Sequence, residues 1–493
     1  MGDRVTEQET PQNLSRDQSY MEYQSARKRH WDSIADWMAH HTSWGSFYHK
    51  RLTAVYRLNT VPNSRVLEIG CAQGDLLSSL KPSYGVGIDL SEKMIKQASL
   101  LHPELHFIAK DVHDMDLGAE VCFDTIILSD ILNDFWDIQV VFDLIRKYSN
   151  RHTRLIMNVY SRLWELPLSI AEKLGLARPV LYQNWLTIDD IDNLLNLSGF
   201  ELVRSWQEIL CPINIPLLAN ICNHFLVKIA PLNELAMTNF IIARPKGLSR
   251  HGETNPSVSI VIPARNEAGN IPKIFENPPQ LNCETEIIFI EGHSKDNTRQ
   301  VIQEQIARRP DLNAFLYPQT GIGKGSAVRE GFKVAHGDIL MILDADLTVP
   351  LVYLPRFYDA ITSGKGDFIN GVRLVYPLEK QSMKFFNFLG NKIFSLVFSW
   401  LLGQPVKDTL CGTKVLWNAD YQHIVENRAY FGDFDPFGDF DLLLGAAKLG
   451  LKITDLPIRY RERTYGTTNI QRWKHGWLLL RMTYFAARRL KFV

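Results

Sequence analysis

The sequence predicts an α/β protein built as two successive halves, each a largely parallel sheet covered by helices. Two observations carry this. Strand-length apolar runs alternate with helical stretches twice over, and a seam without apolar periodicity separates the two series. Alternation of this kind demands crossover connections, which place helices on both faces of a parallel sheet. The seam is "PKGLSRHGETNPS", 245–257, rich in Pro, Gly, Ser and charge. It divides the 493 residues into a loose polar arm at 1–20, a first domain at 21–245, a linker at 246–256 and a second domain at 257–493.

In the first domain the strands are "RVLEIG", "YGVGID", "LHFIAK", "FDTIIL" and "TRLIMNVY". Helices are expected over "SEKMIKQASLL" and "IQVVFDLIRKY", whose apolar residues recur at helical spacing. "NWLTIDDIDNLLNLSGF" adds a helix ended by Gly199, and "TNFIIAR" the last strand. The second series restarts with "VSIVIPA", "TEIIFIE", "NAFLYPQ" and "DILMILDADL".

Lys+Arg and Asp+Glu both number 54, so no global charge favours a nucleic-acid partner. No basic stripe with interleaved aromatics occurs outside the C-terminal tail. The six cysteines are scattered without a C-x-x-C pair, and the expectation is free thiols in a reducing, cytoplasmic compartment. No stretch reaches the roughly 20 apolar residues of a spanning helix.

"VLEIGCAQGDLL" places Glu68, Gly70 and Gly74 between a strand and a helix. Glycines there allow a sharp turn and close approach of backbone to a ligand. Asp89 ends the second strand, where an acid can accept from both ribose hydroxyls, and Asp111 ends the third. The spacing of Glu68, Gly70, Gly74, Asp89, Asp111 and Val112 resembles class I S-adenosylmethionine-dependent methyltransferases, over 65–130. The resemblance implies a Rossmann-like domain with S-adenosylmethionine as cofactor, and Asp111 near the adenine edge. NAD is the weaker alternative, because the denser G-x-G-x-x-G is absent. After the fourth strand, "LSDILNDFWD" offers Asp130, Asn133, Asp134 and Trp136 as acceptor contacts, or as a capped helix start with a core aromatic.

In the second half, "PARNEAGN", "FIEGHSKDNT", the glycine loop "GIGKGS" and "DADL" follow one another at strand ends. From about 257 to 470 this order resembles family 2 glycosyltransferases of the GT-A fold, as in polyprenyl-phosphate glycosyl synthases. The resemblance implies an inverting transfer from a UDP- or GDP-sugar. Pro263, Ala264, Asn266, Glu267 and Glu291 would then hold the nucleoside, with Lys324 and Asp344 completing the donor site. The family's D-D-G-S is here Glu291-Gly292-His293-Ser294, so one acid is left where relatives have two. Asp344 and Asp346 are the catalytic and metal-binding pair, since Mg²⁺ or Mn²⁺ takes hard oxygen ligands and neutralises a leaving diphosphate. Asp408, in "VKDTLCGTKVL", is the candidate to position the acceptor or act as base. The resemblance implies Arg373 and Arg463 as acceptor phosphate cations, although Asn469 replaces the lysine of the family's phosphate-cradling run. Asp439 and Asp441 stand as site residues or helix caps.

"FFNFLGNKIFSLVFSWLLG", 385–403, carries a narrow polar stripe through Asn387, Asn391, Ser395 and Ser399 and a broad apolar face through Phe385, Phe388, Phe394, Val397 and Leu401. The tail interleaves Trp473 and Trp477 with Arg481, Arg488, Arg489 and Lys491. Such amphipathic interfacial helices suit a peripheral position on the cytoplasmic membrane face. Packing against the core, or a homo-oligomer contact, is the other use of these faces. The expectation is therefore a bifunctional, membrane-associated enzyme of glycoconjugate or polysaccharide assembly, transferring a sugar to a polyprenyl phosphate or glycan and a methyl group to a partner molecule. The alternatives are a glycosyltransferase with a non-catalytic S-adenosylmethionine-binding module, or a water-soluble acceptor.

Overall fold

The computed structural model describes residues 18–38, 46–118, 121–174, 181, 183–247, 255–373, 385–426, 439–461, 465 and 472–492. The chain forms two compact units that meet between Lys246 and Gly247. Each contains one seven-stranded sheet.

In the first unit the strands are β1 (Arg65–Ile69), β2 (Tyr84–Asp89), β3 (His106–Ala109), β4 (Phe123–Ser129), β5 (Ser149–Tyr160), β6 (Phe200–Glu208) and β7 (Thr238–Pro245). Their order is β3-β2-β1-β4-β5-β7-β6. β1 to β5 are parallel, whereas β7 inserts antiparallel between β5 and β6. The sheet is largely parallel, as the strand-helix alternation predicts, and is interrupted at one edge. The connection 209–237 holds only short helical pieces, Leu218–His224 the longest, and returns β7 beside β6 in the opposite direction. Period-two burial splits β1 between the two faces: Val66 joins one apolar cluster, Leu67 and Ile69 the other. Helix starts follow local chemistry. Ser91 accepts from Met94 N, Asp137 accepts from Val140 N, and Thr187 with Asp190 closes a capping box.

Two helices precede the first strand, Gln18–Met38 and Ser46–Asn59. The first begins within the segment expected to be a loose arm; residues 1–17 lie outside the described part. The second is anchored by Arg51, whose guanidinium pairs with Glu208 at 3.0 Å. Lys228, from the β6–β7 connection, pairs with the other oxygen of the same carboxylate. All three side chains are under a tenth exposed.

The second unit has β8 (Val258–Ala264), β9 (Thr285–Glu291), β10 (Ala314–Pro318), β11 (Ile339–Ile342), β12 (Phe368–Val372), β13 (Lys414–Trp417) and β14 (Ile453–Pro457). Their order is β10-β9-β8-β11-β13-β12-β14, with β13 antiparallel to both neighbours. The four strands read from the apolar runs are β8 to β11, the parallel half. β12 to β14 extend the sheet.

The helix Phe385–Leu402 turns its polar stripe inward. Asn391 and Ser395 are buried, while Ile393, Leu396 and Trp400 are exposed. Leu401, expected on an outer apolar face, is fully buried. The polar groups have partners in the 406–408 loop, to which Asn391, Ser395 and Ser399 all donate or accept. The side chains of Phe385, Phe388, Trp473, Trp477 and Arg489 lie outside the described part.

Burial pushes the Glu208 carboxyl up, but the Lys228 and Arg51 charges more than offset this and leave it below its ordinary value. Its stabilising contribution is therefore present above the unfolded pKa and is lost as pH falls through the folded one. Glu208→Gln strands two buried cations, and breaking a buried pair costs about 3–5 kcal/mol. Urea melts at neutral pH should show the first unit destabilised by this order, with the gap to wild type narrowing on acidification. An unchanged midpoint would mean the cluster is relaxed by solvent.

Candidate active sites

In the first unit the candidate residues sit along one sheet edge, at the C-terminal ends of adjacent parallel strands. Gly70 and Gly74 have φ of +76° and +79°, a left-handed backbone that favours glycine. A Cβ at Gly74 would stand 2.5 Å from the Phe107 ring. Asp89 accepts from Ala72 N and Ser91 N, both at 2.9 Å, so its carboxylate knits the β1 loop to the next helix. Burial raises its pKa, partly countered by those amides. Asp111 accepts from His113 N and Nδ1, and from Gln24 Nε2 at 3.0 Å. Burial raises the Asp111 carboxyl, yet the His113 bonds leave it below its ordinary value. Asp137 N reaches His113 Nε2 at 3.3 Å, which assigns the Nδ1–H tautomer.

Val112 is largely buried and lines the same cavity as Asp89 and Asp111. Glu68 is also buried, and its Oε2 has no hydrogen-bond partner. Desolvation pushes its pKa well above the usual carboxylate range. A cavity of about 900 Å³ runs over this edge, touching Gly70, Asp89, Asp111 and Asp130. Its roof comes from residues the sequence reading did not find: Tyr20, Tyr23, Gln24 and Arg27 of the first helix and His49 of the second. The signal was there, since Tyr20, Tyr23, Arg27, Ile34 and Met38 repeat at helical spacing. Asp134 pairs with Arg27 at 3.6 Å, and Trp136 meets the Tyr20 and Tyr23 rings edge-on.

In the second unit three strand-end loops are stitched together. Gly292 N donates to Ala264 O, Gln319 N to Glu291 O, Ser294 Oγ accepts from Asn266 N, and Asn266 Oδ1 accepts from Lys295 N. Glu291 Oε1 accepts from Ser294 N at 2.6 Å, so the remaining acid of "EGHS" caps its own loop. Glu267 is buried and accepts from Asn270 Nδ2, and Pro263 and Ala264 are the last two residues of β8. Gly323, at φ +90°, starts the helix Lys324–Val334, while Glu330 straps the loop by accepting from Thr320 N, Gly321 N and Ser326 Oγ.

Lys324 pairs with Asp344 at 2.6 Å. Burial raises the Asp344 carboxyl, and the Lys324, Arg373 and Lys414 charges bring it below its ordinary value. Gly412 lies against that pair: a Cβ there would be 2.0 Å from Asp344 Oδ2 and 2.3 Å from Lys324 Nζ. The segment read as acceptor-facing is thus in contact with the D-x-D segment through a glycine. Asp346 Oδ1 accepts from Thr348 N and Oγ1. Asp408 is fully buried and grips Arg373 by a two-pronged pair, Oδ2 to Nε at 2.7 Å and Oδ1 to Nη2 at 2.9 Å. It also accepts from Arg373 N, Asn391 Nδ2 and Leu410 N. With those bonds Asp408 positions Arg373, and its oxygens face protein donors. Asp441 is buried in the helix Asp439–Lys448; the Asp439 side chain, Arg463 and Asn469 lie outside the described residues.

Residues 60–199 match the family model described as a methyltransferase domain, and residues 259–407 match glycosyl transferase family 2. Among curated relatives, the glycosyltransferase AglJ of Haloferax volcanii is 26% identical over 237 residues, covering 48% of this chain and 73% of that one. A dolichyl-phosphate hexose transferase of the same organism is 28% identical, covering 45% of this chain and 90% of the other. An undecaprenyl-phosphate 4-deoxy-4-formamido-L-arabinose transferase of Proteus mirabilis is 24% identical over 42% of this chain and 61% of its own. Solved structures include magnesium protoporphyrin IX methyltransferase from Synechocystis PCC 6803, at 18% identity and TM-score 0.27, covering 48% and 92% of the two chains. Glucosyl-3-phosphoglycerate synthase from Mycobacterium tuberculosis, with Mn²⁺ and UDP, gives 17% identity and TM-score 0.36, covering 48% and 81%. The chain therefore carries a methyltransferase domain followed by a glycosyl transferase family 2 domain.

Proposed function

We propose that the chain is a bifunctional transferase: the second domain moves a sugar from a nucleotide donor to a polyprenyl phosphate, and the first methylates a partner molecule with S-adenosylmethionine. The observation that carries the sugar-transfer reading is the convergence of Lys324, Asp344, Gly412, Arg373 and Asp408. Two cations and a glycine-lined approach beside a carboxylate pair are what a nucleoside diphosphate leaving group needs. The dolichyl- and undecaprenyl-phosphate transferases among the relatives favour a lipid phosphate acceptor.

An acceptor phosphate is already ionised and needs little general-base help. Its oxygen attacks the anomeric carbon with inversion, and the bond to the diphosphate breaks with its electron pair on the leaving group. Lys324 holds Asp344 in place and offers positive charge to the diphosphate. Arg373, fixed by Asp408, keeps Nη1 outside the two-pronged pair for an incoming phosphate. Asp346, with Asp344, would hold Mg²⁺ or Mn²⁺, which supplies charge neutralisation to the diphosphate. Both carboxylates are hard oxygen donors that suit these ions. Among the described residues no three His, Cys, Asp or Glu side chains gather.

Purified protein incubated with UDP- and GDP-hexoses, polyprenyl phosphate and Mg²⁺ should release nucleoside diphosphate and form a sugar lipid, and excess EDTA should stop both. Turnover undiminished by EDTA would remove the metal from this scheme.

Gly412→Ala tests the site without replacing a charged residue. The added methyl must displace Lys324 or Asp344, so UDP or GDP affinity should fall about tenfold or more, the loss of a charge-assisted contact. Circular dichroism should be unchanged. Wild-type affinity would show that the pair is not part of the donor site.

Peripheral membrane binding is the third expectation. No helix among the described residues is long and apolar enough to cross a membrane. Exposed Ile393, Leu396 and Trp400 are accompanied by Leu480, Tyr484 and Arg481 of the C-terminal helix. Apolar side chains beside basic ones suit an anionic lipid interface. The protein should float with anionic liposomes, less so in high salt and less so for Leu396→Glu. Protein that remains at the bottom of the gradient with every lipid would favour a water-soluble acceptor.

A further inference from the structure

Asp130 has a conformation and a set of partners that the cofactor site does not require. It follows β4 in a left-handed backbone, φ +53°, an uncommon state for a residue with a side chain. Tyr48 Oη donates to its Oδ1 at 2.9 Å, and Asn158 Nδ2 donates to the same oxygen. Asn158 is itself fixed, its Oδ1 accepting from Tyr56 Oη at 2.6 Å and from Asp130 N at 3.2 Å. Both side-chain donors thus hold one carboxylate oxygen, while Oδ2 accepts from no described residue and the residue lines the 900 Å³ cavity.

Sheet order gives that cavity a direction. Along β3-β2-β1-β4, the strand ends carry Asp111, Asp89, the Gly70 loop and then Asp130. A cofactor with adenine toward Asp111 and ribose toward Asp89 has its reactive end toward Asp130. Beyond Asp130 a second cavity of about 1000 Å³ adjoins the first through shared Trp136 and Tyr160. Trp136 and Trp185 line it with aliphatic groups such as Leu168 and Leu186, and Glu165 and Glu172 add hydrogen-bonding groups, so apolar and polar surface are mixed. Such lining suits a sugar ring, which has apolar faces and a rim of hydroxyls.

We propose that the first domain is an O-methyltransferase for a sugar hydroxyl, with Asp130 Oδ2 as the general base. This rests on reading the domain as a methyltransferase. The acceptor oxygen forms a bond to the methyl carbon, the carbon–sulfur bond breaks with its electron pair on sulfur, and the hydroxyl proton passes to Asp130. Sulfonium becomes thioether, so charge and atoms balance. The groups facing Asp130 are Tyr48, His49 and Tyr56 from the second helix and Tyr160 from β5. Burial raises the Asp130 carboxyl above its ordinary value, with the His49 charge and the Tyr48 and Asn158 bonds opposing. A base shifted toward neutrality is better matched to a hydroxyl proton.

The test begins without an acceptor, by calorimetry of S-adenosylmethionine and S-adenosylhomocysteine. An ionised Asp130 at the reactive end favours the sulfonium over the neutral thioether. Asp130→Asn should reduce that preference by about tenfold, while Asp89→Ala should weaken both ligands alike. In wild type the preference should fade as pH falls through the raised pKa. Tyr48→Phe, which removes a donor to the carboxylate, should move that fading to higher pH. A preference that survives Asp130→Asn overturns the assignment of Asp130. Failure of wild type to bind either ligand overturns instead the methyltransferase reading beneath it. With tritiated methyl donor and the methyl glycosides of glucose, galactose and mannose, label should appear as an ether, about a hundredfold slower in Asp130→Asn. Label on amines in a matched aminosugar panel, or on none of the sugars, overturns the acceptor class.

Discussion

Parallel pairing of the first strand of each sheet on both its sides is the constraint from which both sites follow. β1 lies in register between β2 and β4, and β8 between β9 and β11. A strand so placed has no antiparallel neighbour to return along, so the chain must cross over each time. Every functional loop is then delivered to one edge. Asp111, Asp89, Gly70 and Asp130 share that edge in the first domain. In the second, the β8, β9 and β10 loops and the D-x-D segment share the corresponding one.

The edge alone gives proximity; close packing gives chemistry. Lys324 and Asp344 lie against Gly412 with no room for a methyl group, and Asp408 gives its oxygens to holding Arg373. Residues with the plainest functional look in sequence therefore divide into two kinds. Asp344 and Arg373 lie where we propose the donor site, while Asp408 and Glu267 give their charge or hydrogen bonds to neighbours.

Legibility followed the range of the interactions. β1 to β4 and β8 to β11 were readable because each is a short apolar run bounded by turn residues, and β2 matches its run "YGVGID" residue for residue. The glycine loops were readable because backbone geometry restricts the residue type. β6 was missed because "FELVRSWQE" interleaves charges that become buried only by pairing, as Glu208 does with Arg51 and Lys228. The cavity roof was missed because it depends on contact between residues far apart in the chain, such as Gln24 with Asp111. The inward polar stripe of Phe385–Leu402 was legible as a stripe, but its direction was not, because the partners at 406–408 are loop groups without a pattern of their own.

That stripe makes the helix a mechanical link. Asn391, on its inner face, donates to the carboxylate that holds Arg373, while Ile393 and Leu396, two and five residues further along, face outward. Asn391 is one of the donors that fix Asp408, so the position of this helix bears directly on the Asp408–Arg373 pair. One helix thus joins an outward apolar surface to the carboxylate that holds the guanidinium.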